Sequence, residues 1–305
     1  MNRLTKRIWL SRIASLLFVL LLSACASTPS FYRAPFEFAL LGDTPYSDAD
    51  VVRLDQVIDQ INTAQPAFVV HLGDITAGRG PCSDAWLEAR KVQFMRFQAP
   101  FVLTPGDNDW TDCHRTGFDP MERLEKMRVL FHGAPPTALR ATQQSGAYTE
   151  HVRWQAGGAV FVTINVPGSN NNLGRTPAAD AEHYARMPQV LRWLSEAVQA
   201  ASAADVHSLF VMFQANPDFE GTYPPPKGAP DGFASLRAAL IQHAQTMGKP
   251  LIVVHGDTHA FKHDRPVAAA PNLVRIEVDG WPTVGWLRIG LGPGSTLQIE
   301  RHRLP

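Results

Sequence analysis

Four short segments carry the residues best suited to chemistry: Gly42-Asp43-Thr44-Pro45-Tyr46, Gly73-Asp74-Ile75, Gly106-Asp107-Asn108-Asp109-Trp110 and His255-Gly256-Asp257-Thr258-His259. In each, an acid directly follows a glycine, a residue that lets the backbone turn sharply and present the next side chain. Several carboxylates brought together repel one another unless a cation neutralises them. A metal site is therefore the one explanation that makes all four segments intelligible together. A Gly-Asp pair alone carries little weight, because Asp also caps helices and turns.

The elements that would position these segments can be read from hydrophobic spacing. Phe36 to Leu41 is an apolar run that halts at Gly42-Asp43, and Val51, Leu54, Ile58 and Ile61 follow at helical spacing. Ala67 to Leu72 ends in Gly73-Asp74, a helix-like stretch runs from Ser83 to Gln98, and Phe101 to Thr104 leads into Gly106. Three βα units in a row predict a parallel sheet with right-handed crossovers. The next helix is signalled by Asp119 as cap, Pro120 at its first position and Glu122 closing a capping box.

Further strands are expected at Tyr148 to Val152, Val160 to Ile164, His207 to Phe213 and Leu251 to Val254, with helices over about Ala178 to Ala203 and Phe233 to Met247. The last stretch, Leu273 to Val278, Gly285 to Ile289 and Thr296 to Arg301, reads as an antiparallel closing segment. Between them, Asn216 to Gly232, with Tyr223-Pro224-Pro225-Pro226-Lys227, reads as an extended loop, either a rim beside a substrate or a stiff connection. In open parallel sheets the loops beyond the strand carboxyl ends converge, and the four chemical segments sit at such ends.

Gly-Asp, Gly-Asp, a Gly-Asn-His-Asp/Glu-like third motif and a Gly-His-x-His-like fourth, in this order on strand ends, resemble the signature of the calcineurin-like metallophosphoesterases. The resemblance covers the chain from Pro35 to the C-terminal strands. It implies an α/β fold in which a central β-sandwich is flanked by helices, two divalent metals, and in-line attack of a metal-activated hydroxide on phosphorus. It also implies that Asp43 holds the first metal, Asp74 bridges the two ions and His259 binds the first. Either Asn108 or Asp107 matches the Asn of the third motif, and chemical type favours Asn108.

The departures bear on the ions. Pro45 stands where the family has a His, and Asn108 or Asp109 replaces the His of the third motif. Phe213-Gln214-Ala215-Asn216 replaces a strand-ending His, making Gln214 and Asn216 the nearest candidate ligands, and Asp257 replaces the first His of the last pair. Carboxylates and amides in place of imidazoles make the site harder, favouring Mn²⁺, Mg²⁺, Ca²⁺ or iron over zinc. One tight ion with a weaker second remains open beside two.

The catalytic candidates are His114, Asn108 and Asp109, with His114 in Cys113-His114-Arg115 as the group that protonates the leaving group or merely an exposed polar residue. Arg79, Arg115 and Asn165 are candidates for gripping substrate phosphate, although Arg in loops is often only solvated. Asn170-Asn171-Asn172 could bind substrate or simply turn the chain. His71, inside a strand, reads as a core residue, His255 as a neighbour of the site or a substitute ligand, and Trp110 as loop packing or an aromatic wall. No Gly-x-Ser-x-Gly elbow supports a serine hydrolase. An inactive metal- or phosphate-binding relative is the competing reading, because of the missing imidazoles.

Composition bounds the rest. The 305 residues, 45% apolar and 18% charged, are ample for a buried core. Lys+Arg and Asp+Glu both total 28, so no basic excess points to nucleic acid. Arg3, Lys6, Arg7 and Arg12 precede an apolar run from Ile13 to Leu22 that is short for a membrane span, the pattern of an export signal over 1–24. Removing those four bases leaves 24 basic against 28 acidic residues, a formal −4.

Leu22-Ser23-Ala24-Cys25 resembles the bacterial lipobox, which implies lipidation of Cys25, a tether over 25–34, and a lipoprotein held to a membrane, at the periplasmic face of an outer membrane. An ordinary signal peptide cut nearby is the alternative. If Cys25 carries lipid, Cys82 and Cys113 remain for one disulfide in an oxidising space, two free thiols being the other reading.

Overall fold

The computed structural model describes residues 36–292 and 296–304. The expected export signal (1–24), the lipidated Cys25 and the tether (25–34) lie outside these residues. Among the described residues, no helix is long and apolar enough to cross a membrane.

Two sheets face each other. The first has the order β12-β11-β1-β2-β3, from β1 (Phe36–Leu41), β2 (Val69–His71), β3 (Phe101–Leu103), β11 (Gly285–Leu291) and β12 (Leu297–Arg303). Its β1, β2 and β3 are parallel, and Leu41 pairs with His71, which pairs with Leu103, so their carboxyl ends are in line. The second has the order β4-β5-β6-β7-β8-β10-β9, from β4 (Thr142–Gln143), β5 (Val152–Ala156), β6 (Ala159–Thr163), β7 (Ser208–Met212), β8 (Leu251–His255), β9 (Lys262–Asp264) and β10 (Leu273–Glu277).

Strand alternation explains the layering. In β1, Phe38 and Leu40 enter the apolar layer between the sheets, with Phe161, Phe210, Met212 and Ile276 from the second sheet. Ala39 and Leu41 point the other way, onto Leu54, Val57, Ile58 and Ile61 of α1 (Asp48–Ala64) and onto α2 (Asp84–Phe94) and α3 (Pro120–Phe131). The outer face of the second sheet is covered by α4 (Pro177–Ala201) and α5 (Ala234–Met247) through Val190, Trp193, Leu236 and Leu240. The result is a helix–sheet–sheet–helix sandwich. Phe38 stacks on Phe68 at 4.9 Å and meets Phe161 edge-on at 5.2 Å, so truncating it would cost about 3–5 kcal/mol.

Three expectations change. The strand placed at Tyr148 to Val152 begins only at Val152, because the preceding His151 and Glu150 are taken up in a buried polar network. The last stretch is not wholly antiparallel: β10 runs parallel to β8, and antiparallel β9 lies on its other side. Asp119 caps α3 by accepting from Glu122 N at 2.9 Å, but the Glu122 carboxylate turns to Arg123 instead of closing the capping box.

Candidate metal centre

All four segments meet at the carboxyl ends of β1, β2, β3 and β8, where the two sheets adjoin. Asp43, Asp74, Asp257 and His259 adopt left-handed backbone conformations, with φ of 53°, 56°, 78° and 62°. Such residues cost about 1 kcal/mol or more each outside glycine, and they gather where a site demands an unusual direction.

Of the motif glycines, Gly73 has a positive φ; Gly106 and Gly256 act by leaving space. A Cβ on Gly106 would lie 1.9 Å from Asp74 Oδ1, and one on Gly256 2.1 Å from Asp43 Oδ2. The glycine of one motif thus makes room for the carboxylate of another. Gly168 plays the same part for Asp257 and Asp107, where a Cβ would stand 2.7 and 2.8 Å from their carboxylates.

Hydrogen bonds knit the loops. Asp257 N donates to Asp43 Oδ1 at 3.1 Å, and His259 Nε2 stands 3.6 Å from the same oxygen. Asn108 N donates to Asp74 Oδ1 at 3.1 Å, and Gln214 Nε2 reaches Asp74 Oδ2 at 3.2 Å and Asp257 Oδ1 at 3.4 Å. Asn216 enters through its backbone, whose N–H donates to Asp257 Oδ2 at 2.8 Å. Burial first, and then Asp257, push the Asp43 carboxyl well up from its ordinary range. Burial and then Asp107 do the same to Asp74, and raise Asp257 to about 7. His259 is lowered by burial.

The third motif separates into three roles. Asp107 acts electrostatically on Asp43, Asp74 and Asp257, so its carboxylate belongs to the cluster. The Asn108 amide nitrogen donates to the Tyr46 hydroxyl at 3.3 Å, and Asn108 lines the same cavity as Asp107. Asp109 is fully buried, and its carboxylate accepts from Asp74 N (2.9 Å), Ile75 N (2.8 Å) and Gly106 N (2.8 Å). It clamps the second loop to the third and has no route to a substrate, which removes it from the catalytic candidates.

The remaining candidates divide by position. His114 is exposed at the rim of a cavity of about 730 Å³, its Nδ1 2.7 Å from Thr111 O. Arg115 binds Gly78 O at 3.0 Å and Asp112 at 2.6 Å, between that cavity and a second one that holds Asp74, Asp107, Asn108 and His259. Arg79 is exposed and lines neither cavity. Asn165 is fully buried, donating to Glu150 Oε1 at 2.9 Å behind the site, so it cannot grip a substrate. His71 is a core residue, with Nε2 2.9 Å from Thr44 O. His255 is buried with Nδ1 2.8 Å from Gly256 O, and Trp110 is buried packing. Cys82 and Cys113 are joined as a disulfide, and both sulfurs lie against Asn108 O.

Two residues at the centre escaped sequence reasoning. The Tyr46 hydroxyl donates to Asp74 Oδ2 at 3.2 Å and sits 3.2 Å from His259 Nε2; burial and the surrounding carboxylates keep it protonated. It stands one position after Pro45, so the signal was adjacent to the missing ligand. Ser169 Oγ donates to Asp107 Oδ2 at 2.7 Å and faces Asp112 at 3.0 Å, and nothing in its local sequence announces that.

Among the described residues, no group of three or more His, Cys, Asp or Glu side chains is arranged so that it could hold a metal ion. The donor set nevertheless fits a hard divalent ion. Asp43 Oδ2 is buried without a hydrogen-bond partner, and among the described residues no Lys or Arg pairs with Asp43, Asp74, Asp107 or Asp257. Clustered carboxylates without a neutralising base are what an oxygen-preferring cation requires.

The solved structures most like this chain include a dimetal phosphatase from Danio rerio, with 13% identity, TM-score 0.57, and 89% of this chain and 97% of that one covered. GAP50, the anchor in the inner membrane complex of Plasmodium, matches at 12% identity and TM-score 0.53, with 90% of each chain covered. Purple acid phosphatase PPD1 from yellow lupin matches at 11% identity and TM-score 0.56 over 88% of this chain and 51% of its own. At these identities the likeness is one of fold. No curated protein matches the sequence significantly. The family model described as calcineurin-like phosphoesterase matches residues 36–261, and with the strand-end carboxylates at its centre the chain belongs to that family.

Proposed function

We propose that this chain is a metal-dependent phosphoester hydrolase acting outside the cytoplasm as a membrane-anchored lipoprotein. The observation that carries the chemistry is the convergence of Asp43, Asp74, Asp107, Asp257 and His259 around a buried, unpartnered Asp43 oxygen. Asp43, Asp74, Asp107 and His259 would hold divalent metal, with Asp257 supplying a further donor; the side-chain oxygens of Gln214 and Asn216 are taken by Gly168 N and Asp218 N. Bound there, such ions offset phosphoryl charge and acidify an attacking water.

The protein's own groups do the rest. Tyr46 presents a protonated hydroxyl where Asp74 and His259 meet, suited to orient a phosphoryl oxygen. Arg115, held by Asp112, stands at the junction of the two cavities, where a guanidinium can grip an ester oxygen. The larger cavity, walled by Tyr223, Pro224–Pro226 and Phe233, has room for the alcohol portion, with His114 at its rim placed to return a proton to the leaving oxygen. The Asn216 to Gly232 loop then serves as the rim on the substrate side.

A binding protein of the same fold is the second reading. It is favoured by Gln214, which donates its amide hydrogens to Asp74 and Asp257 where the family has an imidazole, and a neighbour of the same fold is described as an anchor. The chain from Ala26 onward, assayed on chromogenic phosphate mono- and diesters with Mn²⁺, Mg²⁺, Fe²⁺ and Zn²⁺, decides between them. Turnover that disappears in Asp74→Ala supports the hydrolase; bound metal without turnover above that control supports the binding protein.

A further inference from the structure

Ser169 to Asn172 form one turn of left-handed helix, with four successive non-glycine residues at φ of 50°, 53°, 55° and 66°. Left-handed turns of this length are disfavoured by about 1–2 kcal/mol per residue for L-amino acids, and Asn tolerates them best. Asn occupies three of the four positions. Ser169 is the exception, and a serine gains nothing from this conformation locally.

The turn is braced from behind. Asn170 Oδ1 accepts from Gly232 N at 2.9 Å, and Asn171 Nδ2 donates to Gly232 O at 2.9 Å. The fully buried Arg186 donates to Asn171 Oδ1 at 2.8 Å, and Asn172 Nδ2 holds Glu182 at 2.9 Å. Gly168 N, at its start, donates to Gln214 Oε1 at 2.7 Å. Such bracing delivers one functional atom to the cluster: Ser169 Oγ, between Asp107 Oδ2 at 2.7 Å and the Asp112 carboxylate at 3.0 and 3.1 Å. The hydroxyl thus ties together two carboxylates that also meet directly.

We infer that Ser169 is a positioning residue for the metal centre. Its hydroxyl bonds Asp107 Oδ2, fixes that carboxylate beside Asp112, and leaves Asp107 Oδ1 as the oxygen that faces an ion. The left-handed turn exists to hold that hydroxyl in place, and the strain it carries is the structural cost of a fixed ligand. Hydrogen-bond partners that orient a ligand are typically worth 10–100-fold in metal affinity.

The inference rests on the reading of the cluster as a metal site, and the test separates the two. Ser169→Gly removes the hydroxyl while relieving the left-handed strain; Ser169→Ala removes it and keeps the strain. Calorimetric titration with Mn²⁺ should show both variants binding about tenfold or more weaker than wild type. Metal-free melting should leave Ser169→Gly at least as stable as wild type, with Ser169→Ala below it. Wild-type affinity in Ser169→Gly overturns the inference and leaves the metal centre standing. Absence of Mn²⁺ binding in the wild type overturns both.

Discussion

Replacing Asp109 tests whether the third motif is held together by structure or by chemistry. In Asp109→Ala, the N–H groups of Asp74, Ile75 and Gly106, which the carboxylate accepts at 2.8–2.9 Å, lose their partner in a fully buried place. An unsatisfied buried donor costs about 1–3 kcal/mol. Burial holds the Asp109 carboxyl up at about 6, so part of this is offset by no longer burying a charge. The net expectation is on the order of 3–5 kcal/mol. Asp109→Asn keeps an oxygen for Asp74 N and Gly106 N but turns an NH₂ toward Ile75 N, so about 1–3 kcal/mol is expected. Urea unfolding should show a lower midpoint with the slope unchanged, and melting should fall by about 2–4 °C per kcal/mol. If Asp109→Asn stays within about 1 kcal/mol of wild type while turnover collapses, Asp109 acts chemically and its reading as a clamp is wrong.

Two further outcomes follow from burial and connectivity. His132 is lowered from its usual 6.5 to about 4, chiefly by burial, so the unfolded chain takes up that proton first and stability is lost as pH falls from 6.5 to 4. Because Asp109, Asp112 and Asp257 are raised and titrate in the opposite sense, the comparison with His132→Gln isolates the effect: the variant should gain about 1.4 kcal/mol on the wild type per pH unit across that window. A pH-independent difference in urea midpoints would refute it. The Cys82–Cys113 bridge closes a separation of 31 residues, so the Cys82→Ser/Cys113→Ser double variant should lose about 3–4 kcal/mol, read as a denaturant midpoint that no longer responds to reductant.

Much of the sandwich was legible because apolar runs of strand length alternate with amphipathic helices, and Asp119 caps its helix as its type and position suggest. The direction of β10 was not legible. It depends on which strand it lies beside, and the chain passes through β9 before returning to β8. At the site, the four Gly-Asp segments were visible as types and order, but the choice between Asp107 and Asn108 turns on where each side chain points after a tight turn. Tyr46 and Ser169 were invisible for a different reason: their partners, Asp74, His259, Asp107 and Asp112, come from other loops.

The motif glycines also take on a different meaning once the loops are assembled. Read along the chain, each glycine turns the backbone for the Asp beside it. In the folded protein, Gly106 excludes a Cβ from the space of Asp74 Oδ1, and Gly256 from that of Asp43 Oδ2. The sharp turns fall on Gly73 and, beyond it, on Asp43, Asp74, Asp257 and His259, which take left-handed conformations themselves. The first two segments are therefore incomplete alone: Asp43 and Asp74 bear the strain, and the glycines of the fourth and third motifs provide the room. This interlocking explains why the segments form a set whose members span more than 200 residues of chain, from Asp43 to His259. Altering Gly106 or Gly256 would displace another segment's ligand, Asp74 or Asp43, and the centre would be lost as a unit.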